Sequence, residues 1–346
     1  TMTQVYVVKT APDASKVSGL INITSTNVSV AISENAVIGS VAGSVAKVNG
    51  KLALANGAAT LSGSTKETVP TIPSNAVTLT NSNITAGNNY KISSGEINNI
   101  NGTQATIYVE GNVTLGVNFG NKLAIVVMPG SVLNLQNANY NGEYTIKNFG
   151  VINGLDNNFK VTSGSLFYND NQNLTLNGFQ ISGTLVNFGK LTINGNLDVS
   201  GSLKNEGTID HKSNLNTNGS FVNGGKYTLS ASLNAAGSFN NSGEFIISGT
   251  TTNNFNNGSV YNTGVFRADH SKVNISTGAF SNSGVFGGKE LNFTGDSNVA
   301  NFCHIYSLTN AIFDGYIDNY SYIYVGEVSN INGSTKIRMF NEAMFS

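Results

Sequence analysis

Asp210-His211 and Asp269-His270 are the acid–histidine neighbours in this chain, and those residue types suit proton transfer. A general base must reach the proton it takes and be oriented by a second group. Adjacent residues of a strand face opposite sides, so an extended chain makes neither pair a dyad. Both pairs are expected to be solvated surface residues. Cys303, the single cysteine, has no partner for an internal disulfide. It falls in a slot otherwise filled by small residues, which predicts a buried structural thiol, and His304 beside it has no second metal ligand in the sequence. Asp314 and Asp318 flank one turn, but two carboxylates fall short of the six or more oxygens that calcium takes. No catalytic residue, cofactor site or metal site is assigned on this pattern. What remains is recognition. Phe302, His304 and Tyr306 are expected to face outward and stack over Tyr320, Tyr322 and Tyr324, a candidate binding face for a sugar ring or a protein partner. Cross-strand pairing that stabilises the sheet is the plainer alternative for the same six residues.

The elements that must position these residues are read from a repeat. The unit is apolar-x-Asn-x-small-x-apolar, and its Asn falls at Asn148, Asn187, Asn205, Asn223, Asn241, Asn262, Asn282, Asn301, Asn319 and Asn341, with a poorer copy at Asn169. Successive units are 18 to 22 residues apart. Two positions before each Asn stands an apolar residue such as Leu185, Leu203 or Phe221. Two positions after it stands a small one such as Gly189, Gly207 or Cys303, and four positions after it an apolar one such as Leu191, Ile209 or Phe245. In the poor copy the last two slots hold Asn171 and Asn173. Even offsets share one face of a strand, so all four positions point inward if the segment is extended.

Two or three short strands per unit, separated by Asn-Gly and Ser-Gly turns, account for the length. The expected fold is therefore all-β, a parallel β-helix (a single-stranded β-solenoid) with coils of about 18–22 residues stacked at the sheet spacing of about 4.8 Å. Stacking would line up the Asn side chains in a column, each amide donating to the next. Regular coils are expected from about residue 146. Thr106-Ile107-Tyr108-Val109, Leu123 to Met128 and Val132 to Leu135 suggest earlier, less regular ones within 74–346. Residues 1–73 read differently, as Val/Ala/Ser/Thr-rich alternation ending in Val69-Pro70-Thr71-Ile72-Pro73. They are expected to form an N-terminal β-rich module or cap.

Composition narrows the partners. Lys+Arg is 18 and Asp+Glu 19, a net charge of −1, with only Arg267 and Arg338 as guanidinium groups. That argues against nucleic acid. No apolar run is long enough for a transmembrane segment. Asn-x-Ser/Thr triplets carry no weight in a chain with 54 Asn, because chance supplies them.

Ile107-Tyr108-Val109-Glu110-Gly111, Val127-Met128-Pro129-Gly130-Ser131 and the series Asn148-Phe149-Gly150, Asn187-Phe188-Gly189, Asn301-Phe302-Cys303 and Asn319-Tyr320-Ser321 carry a resemblance. With them, residues 75–346 resemble the repeat region of LruC-domain surface proteins of Bacteroidetes-type bacteria, with haemagglutinin-like and autotransporter β-helices as looser relatives. The resemblance implies an extracellular or outer-surface protein without catalysis. The expected function is a rigid stalk or adhesin-like interaction protein, its partner a glycan or another surface protein. A structural subunit of an extracellular filament or surface layer, self-associating through exposed coil ends, is the alternative, and a glycan-active β-helix enzyme stands behind both.

Overall fold

The computed structural model describes residues 65–331, 336–339 and 344–346. Of the expected N-terminal module only residues 65–73 fall within this set, and Asn341 lies outside it. Among the described residues every regular element is a strand, and no helix is long and apolar enough to cross a membrane. The chain divides into two units, Ser64–Phe221 and Val222–Ser346, each a parallel β-solenoid.

In the first unit a regular coil consists of three short strands with sharp turns between them. Thr184–Asn187, Lys190–Ile193 and Leu197–Val199 form one coil; Ser202–Asn205, Thr208–His211 and Leu215–Thr217 lie upon it. The register is residue on residue: Leu185 on Leu203, Asn187 on Asn205, Leu191 on Ile209, Leu197 on Leu215. Alternation gives each strand one inward row, and these inward residues are buried. The earlier coils are built from longer, bent strands, Asn89–Asn101 and Thr106–Asn118, followed by Leu123–Val127 and Val132–Asn139.

The Asn column forms as a hydrogen-bonded ladder. Asn148 Nδ2 donates to Asn169 Oδ1 at 3.0 Å, Asn169 to Asn187 at 2.9 Å and Asn187 to Asn205 at 2.8 Å. In the second unit the series runs Asn223, Asn241, Asn262, Asn282, Asn301, Asn319, each amide reaching the next carbonyl oxygen at 2.8–2.9 Å. These side chains are sealed from solvent. The second amide hydrogen goes to main-chain carbonyls: Asn241 Nδ2 also reaches Gly243 O at 3.2 Å and Val265 O at 3.0 Å.

The small residue two positions on has a steric cause. A Cβ on Gly207 would stand 2.1 Å from Gly189 O, and one on Gly264 2.1 Å from Gly243 O. The column four positions on is aromatic in the second unit: Tyr227, Phe245, Phe266 and Phe286 stack with centroids 4.9, 5.5 and 4.5 Å apart, within 13° of parallel. Parallel ring stacks of this kind add dispersion to the burial of large apolar surface.

Two expectations are corrected by the register. In the poor copy, Leu174 rather than Asn173 takes the slot paired with Leu191, because the turn after Asn169 holds one more residue than its neighbours; Asn173 is exposed. At the far end Met339, expected opposite Ile317, instead stands opposite Asn319, and Ile337 takes the place beside Ile317. Asn319 Nδ2 ends the described ladder on the carbonyls of Ser321 and Met344, at 3.2 and 3.1 Å.

The ladder predicts unequal losses. Asn241→Val strips partners from both neighbours and should cost about 3 kcal/mol or more. Asn148 has only one rung, and its own Oδ1 is buried without a partner. Asn148→Val should therefore cost about 1 kcal/mol. Equal shifts of the denaturation midpoint in the two variants would contradict this account.

Candidate functional site

The acid–histidine pairs are separated by the strand pleat, as the alternation requires. Asp210 is outward and ion-paired to Lys212 at 2.6 Å, whereas His211 sits in the core opposite Ile193, its Nε2 2.8 Å from Gly195 O. Burial pushes the His211 imidazole down to about 4, against the Gly195 carbonyl and the Asp210 carboxylate, which favour the cation. The sequence expectation of a solvated pair is thus corrected for His211, which is a satisfied core histidine. In the second pair Asp269 is half-buried and accepts the Tyr306 hydroxyl, while His270 is exposed. Asp318 is taken by Arg338, with Nε–Oδ1 2.6 Å and Nη2–Oδ2 2.5 Å. Among the described residues no three potential metal ligands gather.

Cys303 is buried, and desolvation pushes its thiol up to about 12, opposed by the hydrogen bond to the His304 backbone. A thiol held this far from ionisation is a poor nucleophile.

The aromatic residues of the last coils stack in register. His304 pairs with Tyr322 and Tyr306 with Tyr324, and the rings of Phe302 and Tyr320 lie 4.8 Å apart at 11°. Their exposure is uneven. Tyr324 is open to solvent, His304, Tyr320 and Tyr322 are half-buried, and Phe302 and Tyr306 are covered. Tyr306 lies flat across the preceding coil over Gly287, where an added Cβ would stand 2.2 Å from the ring. The face that a partner could touch is therefore narrower than six residues, centred on Tyr324 with exposed Tyr316 nearby in sequence.

Two lateral features of the first unit lay outside the sequence reading. Residues 65–73 run along the outside of the coils toward a turn in which Ala76 N–H donates to Pro73 O at 3.0 Å. Lys147 Nζ meets Glu67 Oε2 at 2.6 Å, Lys66 meets Asp170 at 3.0 Å, and Glu67 N–H donates to the Tyr168 hydroxyl at 3.1 Å. This fastening sits over a small apolar stripe of Val126, Phe149 and Tyr168.

The second feature is a cleft of about 880 Å³. It opens where the chain leaves its strand after Val151–Asn153 and loops out through 154–160. Gly154 takes φ +82°, and a Cβ there would stand 2.1 Å from Leu135 O. The Asp156 carboxylate accepts Asn158 N–H at 2.9 Å. Phe159 then inserts between Tyr140 and Phe179, centroids 5.3 and 5.0 Å away, and Tyr144 O–H donates to Lys160 O at 2.6 Å, so the loop is pinned at its end. Across the cleft a bulge at Asn137, with φ +48°, re-aims the exposed Asn139 and Asn141 amides. Gln180 and Asp198, exposed and in parallel register, border the cleft farther along. Beneath lies Tyr140, buried, its hydroxyl without a hydrogen-bond partner. Desolvation, with Asp156 nearby, holds that phenol above its ordinary range.

The chain matches no family model, no curated protein and no solved structure.

Two measurements follow. Ellman's reagent should leave Cys303 unmodified in the native protein and titrate it fully in guanidinium; rapid native labelling would contradict a sealed thiol. The neutral His211 of the fold is protonated first in the unfolded chain. Its stabilising contribution is thus present above about pH 6.5 and lost as pH falls toward 4, by about 3 kcal/mol in all. Half-buried His304, also lowered by burial and by Arg267, acts in the same direction. The acid slope of the melting temperature should flatten in His211→Ile; an unchanged slope would assign the acid sensitivity elsewhere.

Proposed function

We propose that this chain is an exported β-solenoid, displayed at the outer cell surface, that works as a rigid, non-catalytic stalk or adhesin-like interaction protein. The observation that supports the reading is the axial interlock. In each unit the main chain of one coil hydrogen-bonds to the next, and the carboxamide ladder ties the same coils from inside. Such an element resists bending and stretching, since every displacement along the axis breaks backbone hydrogen bonds in parallel. Its inward rows are committed to packing, while its outward rows are free to vary, and in the last coils they set Tyr322 beside His304 and Tyr324 beside Tyr306 in register. Tyrosine combines an apolar ring with a hydroxyl, which suits a glycan or a protein partner. The low charge, the single sealed thiol and the resemblance to LruC-domain repeat regions point the same way.

Intact cells that make the protein provide the test. Antibody labelling and protease accessibility should find it on the outside, and electron microscopy of purified protein should show discrete elongated particles. Labelling only after lysis would overturn surface display; concentration-dependent filaments would favour the structural-subunit alternative.

A further inference from the structure

We propose that the cleft beside loop 154–160 binds a neutral, linear oligosaccharide lying along the solenoid axis. The inference deepens the interaction-protein reading by naming a ligand class and a place for it.

The walls carry the argument. Asn139, Asn141 and Gln180 are exposed carboxamides, and each presents a donor beside an acceptor. A pyranose hydroxyl both donates and accepts, so adjacent hydroxyls match an amide as a pair. Asp156 and Asp198 add carboxylate acceptors for further hydroxyls. Lys160 is the one cationic side chain in the lining, set against those two carboxylates, so an anionic polymer is disfavoured. Beneath the walls, the Tyr140 hydroxyl is buried and unpartnered. A sugar hydroxyl reaching the cleft floor, or a water held under it, would satisfy that group.

Spacing supports a chain rather than a single ring. Gln180 and Asp198 occupy matched positions on successive coils, about 4.8 Å apart along the axis. An extended chain of pyranose rings advances by a similar distance per ring, so successive rings would meet successive coils. A volume of about 880 Å³ accommodates several rings. A peptide would look for apolar pockets, yet Phe159, Phe179 and Tyr140 are covered and offer none. A bound cation would need more ligands than these two carboxylates, and no cluster of three stands among the described residues.

Isothermal titration with cello-, xylo-, manno-, malto- and chitohexaose, and with polygalacturonate as the acidic comparison, tests the proposal. At least one neutral hexaose should bind, and Gln180→Ala combined with Asp198→Ala should weaken it by about tenfold or more. Lys190→Ala, at an exposed position of the same unit outside the cleft, should leave that affinity unchanged. Both replaced cleft residues are exposed, so the melting temperature should hold. As a readout on the unaltered chain, a saturating hexaose should slow hydrogen exchange across loop 154–160. Absence of binding by every neutral hexaose, affinity retained in the double variant, exchange unchanged in the loop, or preference for polygalacturonate would each overturn the assignment. Surface labelling of cells is a separate measurement, so failure here and failure of the display reading are told apart.

Discussion

A carboxamide sealed from water must find its partners inside the protein, and the ladder asparagines find theirs along the axis and in the turn beside them. This requirement sets the geometry of the second unit more tightly than chain length does. Asn223 and Asn241 are 18 residues apart, Asn241 and Asn262 are 21, Asn262 and Asn282 are 20; the amide-to-carbonyl distance is 2.8 Å in all three. Residues added to a coil therefore go outward, into the turns, and leave the inner column unmoved. A slip of one residue would turn every inward side chain to the outside and bury the polar row, so the ladder and the apolar columns enforce the same register.

The glycines follow from that column. An Asn side chain folds back onto the carbonyl two residues ahead, as Asn187 does on Gly189 at 3.1 Å. That turn of the coil must lie directly over its counterpart below, where a Cβ would strike a carbonyl oxygen. The apolar residue four positions on then falls in line with its equivalents. In the second unit that line-up becomes a stack of rings from Tyr227 to Phe286. One polar contact, repeated, thus dictates a small residue and a large one at fixed distances from it.

Because these constraints recur at even spacing, the architecture was legible in the sequence, and so were the ladder members from Asn148 to Asn319. Departures were legible as irregularities but not as structures. The weak match at Asn169 marked a true insertion, yet only the register shows Leu174 stepping into the place of Asn173. At Met339 the offset rule misplaced a residue, because it assumed the same turn length as in earlier coils. Covering of outward side chains was also invisible. Tyr306 and Phe302 occupy outward positions by parity, but parity says nothing about Gly287 leaving room for a ring to lie flat. The cleft escaped for a related reason. Its residues are 118, 137–141, 156–160, 178–180, 196 and 198, drawn from several coils. A repeat search averages over the places where coils differ, and those places make the cavity.

The polarity of the ladder explains why its members are consecutive rather than scattered. Every rung within a unit points the same way, with Nδ2 donating toward the later coil. At the beginning of the first ladder this direction leaves one acceptor unfilled, since Asn148 Oδ1 faces the column position of Val127, itself preceded by Val109 and Ile92. A buried acceptor without a partner costs on the order of 1–3 kcal/mol. Each isolated Asn would incur such a cost again, whereas an uninterrupted run incurs it once and gains a rung with every added coil. Selection for a stable column therefore favours long unbroken runs with an apolar column before them. The change at Val127–Asn148 is where an apolar interior gives way to a polar-spined one, and the coil that begins there is also the one whose chain loops out at 154–160 to open the cleft.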